Sequence, residues 1–187
     1  MTSRFTLHAT PIDGVIVLKR ACLSDHRGFF ERLFCVEELS EIIGARAICQ
    51  INRSFTRRQG AARGFHFQSP PHAELKIISC VRGRVLDVAL DLRHGSPTFL
   101  QHYSIELSRD NSVSFVIPEG VAHGFQTLEQ DTELLYLHTE EYAPAAESGV
   151  NLLDPKLGVD WPLDITETST RDERFAHISD DYEGVVL

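Results

Sequence analysis

Short apolar segments separated by turn residues run through most of this chain, and this pattern constrains the fold more than any other feature. In RVLDVALD (84–91), successive side chains alternate between two faces, as they do along a β-strand. Gly-, Pro- and Asn-containing turns lie between such segments. Many short strands at this spacing predict an all-β sandwich or barrel, here a jelly roll. The clearest predicted strands are 14–19, 75–81, 84–91, 103–107, 112–117 and 133–138.

Helical signals are few. Val36–Ile43 is the only convincing early helix, and Gly44 is a plausible residue to end it. Further short helices are expected in the C-terminal part, where Asp154-Pro155 and Trp161-Pro162 interrupt the chain. Because no internal repeat or Pro/Gly/Ser linker divides the 187 residues, a single domain over 1–187 is expected.

Charge excludes some function classes. With 18 basic and 27 acidic side chains the formal charge is −9, which argues against general nucleic-acid binding but leaves a phosphate-bearing small ligand open. No apolar run approaches the roughly 20 residues that span a bilayer, and no secretory signal is recognised. The four cysteines show no CxxC spacing and are interpreted as buried thiols of a cytoplasmic protein, with a disulfide or a redox role as the alternative.

The segment Arg63–Gln68 (RGFHFQ) is unusually polar for a strand in a small β-barrel. Strict alternation places Arg63 on one face and His66, between Gly64 and Gln68, on the other. A glycine beside a histidine leaves room for a ligand to approach. A strand histidine is also commonly a hydrogen-bonded core residue, so RGFHFQ alone leaves both interpretations open.

Other polar groups stand where a ligand could lie. Two glycines surround His123 in Pro118–Phe125, a loop that can place the histidine at a barrel mouth or simply form a tight turn. Lys76 lies in a mostly apolar strand and needs an anionic partner or ligand, because an unpaired buried charge is costly. Tyr136 in another apolar strand and the turn Ser169–Asp172 are explained equally well without a function.

A metal site is an alternative interpretation of these polar groups. His66, His72, Glu74 and His123 are ligand types that metal-dependent barrels use. Such barrels usually carry H-x-H on one strand face, whereas this chain has His66 followed by Gln68. We therefore expect no metal.

Taken in order, these segments resemble the dTDP-4-dehydrorhamnose 3,5-epimerase family of sugar-nucleotide epimerases. RGFHFQ, DLRHGSPTF and PEGVAHGF form a specific signature in this order, and the similarity extends over about residues 12–172. It implies a cupin-like jelly-roll barrel, a homodimer, and no cofactor or metal. The other matching stretches are 25–30, 50–52, Lys76, Tyr136, Tyr142 and 169–172.

The resemblance also implies roles in a reaction that inverts carbons next to a 4-keto group. His66 would abstract the proton, with Asp172 holding its tautomer. Lys76 would face the developing enolate oxygen, and Tyr136 would deliver a proton from the opposite side of the ring. The residues implied to bind the nucleotide-diphosphate sugar are Arg27, Gln50, Asn52, Arg63, His123, Glu147 and Arg171.

Some of these residues have more specific implied roles. Arg63 and Arg171 suit a diphosphate, for which a planar guanidinium offers paired donors. The family's N-terminal segment reaches into the neighbouring subunit, which implies that Arg27 serves the partner's site. Arg32 stands where the family has a base-reading glutamate, and Glu31 is one residue early, so a nucleotide other than dTDP stays open.

Three alternatives to a 3,5-epimerase remain. A 3-epimerase would use the same base and acid. A 3,4-ketoisomerase on another nucleotide sugar would use a similar histidine with a changed acid. A non-catalytic sugar-nucleotide-binding cupin would not require His66, Lys76, Tyr136 and Asp172 together.

Overall fold

The fold, described here from a computed structural model over residues 3–187, consists of antiparallel strands and two one-turn helices. The helices are α1 (Ser40–Ile43) and α2 (Thr170–Glu173). Neither helix in this described range is long or apolar enough to cross a membrane. The strands are β1 (Phe5–Ala9), β2 (Ile16–Arg20), β3 (Cys22–Asp25), β4 (Gly28–Glu31), β5 (Gln50–Thr56), β6 (Ala62–Gln68), β7 (Lys76–Arg82), β8 (Arg84–Asp91), β9 (His102–Ser108), β10 (Val113–Ile117), β11 (Val121–Thr127), β12 (Thr132–His138) and β13 (Glu147–Gly149).

Two sheets face each other. The six-stranded sheet has the order β1-β2-β10-β7-β12-β5, the five-stranded sheet has the order β13-β6-β11-β8-β9, and β3 and β4 form a separate hairpin. Side chains such as Ile78, Phe115 and Phe125 fill the space between the sheets. The all-β jelly roll with a few short helices is therefore confirmed.

The outer faces of both sheets are also covered. Residues of the C-terminal part, such as Leu152 and Ile178, pack over the five-stranded sheet against Phe65. Leu39 and Ile43 pack over the six-stranded sheet. Parts of both sheets are therefore buried on two faces, whereas the edge strands β1 and β5 are largely exposed.

The strand predictions agree with the structure within two residues at each end, and 84–91 agrees completely. The helix predicted at 36–43 is helical only over Ser40–Ile43, although Gly44 ends it at a positive φ of 57° as expected. The interpretation of the cysteines as buried was wrong for Cys22 and Cys49, which are exposed free thiols.

Strand β6 departs from strict alternation. His66 pairs with His123 of β11 while Arg63 pairs with Phe125, so three steps along β6 match two along β11. This extra residue is a β-bulge. It brings Arg63 and His66 to the same inward face, and the prediction of opposite faces was wrong.

Gly64 lies within this bulge and has a positive φ of 121°. A Cβ atom on Gly64 would lie 2.6 Å from Gly124 Cα and 2.7 Å from the His123 carbonyl oxygen. The β11 backbone therefore occupies the space beside Gly64. The expectation that this glycine leaves room for a ligand next to His66 was wrong.

At the end of β8, Asp91 is fully buried and organises the turn that follows. Its carboxylate accepts hydrogen bonds from the Arg93 side chain at 2.7 and 2.8 Å, from Ser96 Oγ at 2.6 Å and from Thr98 Oγ1 at 2.7 Å. Burial alone would raise the pKa of Asp91, but these hydrogen bonds outweigh it and lower the pKa to about 2.

We expect Asp91→Asn to lower the free energy of unfolding by about 3 kcal/mol at pH 7, because it leaves the partly buried Arg93 guanidinium without its charge partner. Since the folded-state pKa is depressed, the carboxylate contributes fully above about pH 4 and loses its contribution as the pH falls toward 2. Urea unfolding across this range measures both effects. Asp110→Asn, on an exposed turn, is the control, and equal stabilities of wild type and Asp91→Asn at pH 7 would contradict the assignment.

Candidate active site

A cavity of about 990 Å³ lies between the sheets and opens at the end formed by β5, β6, β12 and the loop before α2. This volume is at the upper end for small-molecule sites. Nine of the eleven site residues predicted from the sequence line it: His66, Lys76, Tyr136, Asp172, Asn52, Arg63, His123, Glu147 and Arg171.

His66 and Asp172 form a hydrogen-bonded pair in this cavity. His66 Nε2 lies 2.8 Å from Asp172 Oδ1, and the Gly64 backbone N–H donates to Asp172 Oδ2 at 3.2 Å. Ser169 caps α2 by accepting from the Asp172 backbone N–H, which fixes the start of the helix. The bulge in β6 and this helix cap together bring a strand histidine and a helix carboxylate into contact across 106 residues of sequence.

The carboxylate determines which nitrogen of His66 carries the proton. Burial would raise the pKa of Asp172, but the hydrogen bond and charge of His66 and the Gly64 N–H lower it to about 2, so the group is ionised at neutral pH. An ionised carboxylate only accepts hydrogen bonds, so His66 donates from Nε2 and Nδ1 is left able to take a proton. Arg171 Nη2, 3.2 Å from Nε2, only donates and cannot bond to the protonated nitrogen.

Tyr136 lies on β12 with its hydroxyl 3.3 Å from Ser54 Oγ of the neighbouring β5. Its ring meets the His123 ring edge-on at a centroid distance of 6.0 Å. Desolvation raises the pKa of the phenol above its ordinary value, which keeps the hydroxyl protonated at neutral pH. Tyr136 can therefore act as a proton donor but not as a resting base.

Lys76 begins β7 and is nearly buried, as the sequence suggested for a lysine in an apolar strand. Its Nζ lies 3.1 Å from Glu74 Oε1 and donates to the His66 carbonyl oxygen at 3.4 Å. The other Glu74 oxygen accepts from His138 Nδ1 at 2.7 Å. Glu74 was named only as a possible metal ligand and His138 was missed, because strand pairing, not sequence spacing, brings position 138 opposite position 76.

His123 is placed differently from the prediction. It lies within β11, is buried, and its Nε2 is 2.9 and 3.0 Å from the two carboxylate oxygens of Asp87. The prediction of a loop at the barrel mouth was wrong because β11 pairs along its whole length with β8. Asp87 was missed, although it shares a face with Val85 and Ala89 in RVLDVALD and is polar where they are apolar.

Charged side chains also meet at the cavity mouth. Arg171 Nη1 lies 2.8 Å from both carboxylate oxygens of Glu147, and the Tyr142 hydroxyl donates to Glu147 at 2.7 Å. Arg63 lines the same opening. Five arginines in all line the cavity that an anionic ligand would enter, and sequence reasoning missed three of them: Arg53, Arg57 and Arg58.

Two predicted site residues lie outside the cavity lining. Gln50 is close to it, because its Oε1 accepts from the backbone N–H of the cavity residue Tyr142 at 3.1 Å. Arg27 is exposed at the tip of the β3–β4 hairpin and pairs with Asp25 at 2.6 Å. Within one chain, the structure does not bring Arg27 to the site.

The residues next to the hairpin have protein partners. Glu31 accepts from Arg20 Nε at 2.9 Å, and that guanidinium is buried. Arg32 stands where the family that this sequence resembles has its base-reading glutamate, and it forms an ion pair with Glu38.

The four side chains weighed as metal ligands do not converge. His66 contacts Asp172, His123 contacts Asp87, Glu74 contacts His138, and His72 lies 3.4 Å from Glu140. Within residues 3–187, no three His, Cys, Asp or Glu side chains are grouped as a metal site.

Comparison with known proteins identifies the family. The model of the family described as dTDP-4-dehydrorhamnose 3,5-epimerase matches residues 9–180. This chain belongs to that family. The resemblance seen in the sequence is thereby confirmed, and the family is one of isomerases. The dTDP-4-dehydrorhamnose 3,5-epimerase of Salmonella typhimurium is 36% identical over 164 residues, which cover 87% of this chain and 90% of that relative.

Solved structures agree with this family membership. The dTDP-6-deoxy-D-glucose-3,5-epimerase of Legionella pneumophila, in complex with dTDP-4-keto-L-rhamnose, has a TM-score of 0.88 and 35% identity, with 92% of each chain covered. A 3'-monoepimerase from Streptomyces bikiniensis, in complex with dTDP-quinovose, has a TM-score of 0.85 and 35% identity, with 91% of this chain and 86% of that chain covered. Both a double and a single epimerase are therefore similar to this chain.

We expect Asp172→Asn to reverse the tautomer of His66. The Gly64 N–H would keep the side-chain oxygen as its acceptor, so the amide NH₂ would face His66 Nε2 and require it to be unprotonated. Imidazole ¹⁵N chemical shifts measure this directly: Nε2–H in the wild type and Nδ1–H in the variant. Asp110→Asn is the matched control, and an unchanged tautomer in Asp172→Asn would show that the carboxylate does not determine it.

Proposed function

We propose that this protein is an epimerase that inverts C3, C5 or both of a dTDP-linked 4-keto-6-deoxyhexose. The observation that carries the proposal is the placement of the His66–Asp172 pair, Lys76 and the Tyr136 hydroxyl around one cavity. A carbon acid next to a ketone needs a base, a partner for the enolate oxygen and an acid, and these residues supply each.

His66 is the proposed base. With Nε2–H donated to Asp172, the neutral imidazole accepts the proton of the carbon next to the ketone at Nδ1. The ionised Asp172 then stabilises the imidazolium that forms, and it also keeps the ring from rotating. Removing Asp172 would affect both orientation and charge.

Lys76 is the proposed partner of the enolate. Its side chain is only 9% exposed, and in such a site a positive charge interacts with a developing oxyanion more strongly than in water. Because the position of Lys76 is fixed before the ligand binds, little reorganisation is required during proton transfer.

Tyr136 is the proposed acid. Inversion requires that the carbon receive its new proton on the face opposite the base, and Tyr136 and His66 lie on different sheets that face each other. The raised pKa of the phenol ensures that it holds a proton to give.

Arg63 and Arg171 are the proposed diphosphate ligands, with Asn52, Gln50, His123 and Glu147 as further substrate contacts. Two guanidiniums at the mouth can each offer paired donors to phosphate oxygens. Arg171 is held by Glu147 before the ligand arrives, so diphosphate and Glu147 compete for one guanidinium. The deoxysugar nucleotides named for the two similar crystal structures support dTDP as the carrier.

The decisive measurement is proton NMR of dTDP-4-keto-6-deoxyglucose with the protein in deuterated water. Deuterium at both C3 and C5 would establish the double epimerase, and deuterium at one carbon would establish the narrower enzyme. If CDP- and GDP-linked sugars exchanged but the dTDP sugar did not, the proposed nucleotide would be wrong. Absence of exchange with all three would leave a non-catalytic binding protein and sink the proposal.

In the same assay we expect His66→Ala to reduce exchange by at least about a thousandfold, because the other cavity imidazoles, His123 and His138, are held by Asp87 and Glu74. We expect Tyr136→Phe to retain deuterium exchange on the His66 side but to lose inversion. His72→Ala and Tyr103→Phe, which change a histidine and a tyrosine outside the cavity lining, are the controls. Full exchange by His66→Ala would show that the base is a different residue.

A homodimer in which the hairpin β3–β4 completes the partner's site is part of the proposal. Leu23, Phe29 and Phe30 are all more than half exposed on this hairpin, which pairs with neither large sheet. Exposed apolar clusters of this kind mark interaction surfaces. Arg27, at the tip of the hairpin, does not line the cavity of its own chain and can therefore contact the cavity of a partner subunit.

We also propose a cytoplasmic location, which suits the four free cysteines.

Mixing two inactive variants tests this arrangement. If Arg27 serves the partner's site, a heterodimer of Arg27→Ala and His66→Ala contains one site with both residues intact and one with neither, so mixing and re-equilibration should restore activity. Two copies of either variant alone should stay inactive. Lack of recovery in a mixture whose subunit exchange is confirmed by mass spectrometry would mean that Arg27 acts within its own chain or not at all.

A further inference from the structure

The cavity holds an ion-pair network that the proposed chemistry does not by itself require. Its members are Glu74, Lys76 and His138, at the junction of β7 and β12. The side chains of Glu74 and Lys76 are 8% and 9% exposed, and that of His138 is 12% exposed. Such groups are seldom buried unless each has a partner.

The donors of Lys76 can be counted. An ammonium has three N–H groups. One is directed to Glu74 Oε1 at 3.1 Å and a second to the His66 carbonyl oxygen at 3.4 Å. Because Lys76 lines the cavity, the third N–H remains for a ligand oxygen. Glu74 therefore determines the direction of the donor that the substrate would meet.

Glu74 is in turn fully occupied. Its second oxygen accepts from His138 Nδ1 at 2.7 Å. His138 Nε2 then has a lone pair, which lies 3.4 Å from the Asn52 side-chain amide, a donor on the neighbouring strand. A single assignment of donors and acceptors therefore satisfies the whole series of hydrogen bonds from Asn52 through His138 and Glu74 to Lys76.

The charge state of Glu74 agrees with this assignment. Burial would raise its pKa, but the hydrogen bond from His138 and the positive charge of Lys76 outweigh burial, and the net pKa is lowered. An ionised carboxylate whose oxygens both have donors is poorly suited to abstract a proton. Its effect on a reaction must therefore pass through Lys76.

Two opposite effects on Lys76 are conceivable. The negative charge of Glu74 weakens the field that Lys76 exerts on an oxyanion, but it also holds a nearly buried ammonium in place and in its charged form. An ammonium in such a site without a partner either moves toward water or gives up its proton, since the desolvation penalty of an isolated ion is several kcal/mol. The second effect dominates, because either response removes the cation from the reaction.

We propose that Glu74 is a positioning residue that holds the Lys76 ammonium toward the substrate oxygen, and that His138 fixes Glu74 for this task. This inference rests on the proposed epimerase function. Two further side chains, the Glu74 carboxylate and the His138 imidazole, thus belong to the site without touching the reacting carbons.

Glu74→Gln tests the proposal, because it keeps the shape of the side chain but removes its charge and leaves either Lys76 or His138 without an acceptor. We expect kcat for exchange to fall by roughly tenfold or more, with KM and the calorimetric affinity for dTDP unchanged, since the loss concerns enolate stabilisation. Glu140→Gln, a nearby carboxylate paired with His72 outside the cavity lining, should leave kcat unchanged. An unchanged or increased kcat in Glu74→Gln would overturn the proposal.

His138 provides a matched pair of variants. His138→Phe keeps a flat ring beside Tyr136, 6.1 Å away between ring centroids, but removes the donor to Glu74. His138→Asn keeps a donor near the position of Nδ1. We expect kcat to fall in His138→Phe and to be largely restored in His138→Asn. Activity in His138→Phe equal to or higher than in His138→Asn would show that the donor to Glu74 is not required and would overturn the role of His138.

A spectroscopic readout separates this proposal from the proposed function. The chain has three lysines, so the ¹⁵Nζ signals of Lys76, Lys19 and Lys156 can be assigned by single Lys→Arg variants. A protected Lys76 ammonium signal in the wild type that is lost in Glu74→Gln supports the pair even if no sugar nucleotide is exchanged. If the wild type epimerises but this signal is the same in both proteins, the positioning role is wrong while the function stands.

Discussion

The bulged pairing of β6 with β11 is the constraint on which the site depends. By adding one residue to β6, it turns Arg63 and His66 to the same inward face. The backbone N–H of Gly64 in this bulge also donates to Asp172, so the bulge helps to hold the carboxylate that orients His66. A regular ladder would direct one of the two side chains away from the cavity. A side chain at position 64 would separate the two strands.

A second feature of the site is the pairing of buried carboxylates with imidazoles. His66 with Asp172, His123 with Asp87 and His138 with Glu74 each join residues that are distant in sequence. Breaking one member of such a pair leaves an uncompensated buried group, which is far more destabilising than the pair is stabilising. These contacts therefore specify geometry more than they add to the free energy of unfolding.

Much of the fold could be predicted because strand alternation is a local property. The segment 84–91 shows it completely, and the predicted and observed strands coincide there. Motif order then indicated nine residues that line the cavity. What could not be predicted depends on strand register. The bulge at Gly64 changes which face of the strand a residue occupies. The contact between Glu74 and His138 forms because β12 pairs with β7 so that His138 lies opposite Lys76, which is 62 residues earlier in the chain. The hairpin β3–β4 escaped prediction because its apolar residues face outward instead of alternating with a core.

The strands and the helix that carry the polar groups differ in how firmly their backbones are held. His66, Lys76, His123 and Tyr136 lie on strands whose backbones are fixed by neighbours on both sides, whereas Arg171 lies on a one-turn helix at the mouth and is half exposed. The conformational entropy of the first group is lost when the protein folds, so a ligand does not have to order it. On binding, the entropic penalty falls more on Arg171 than on Arg63, which shares the rigid strand β6 with His66. The contribution of Arg171 to affinity can therefore vary without a change in reaction geometry, because this residue and the reacting groups lie on different parts of the backbone.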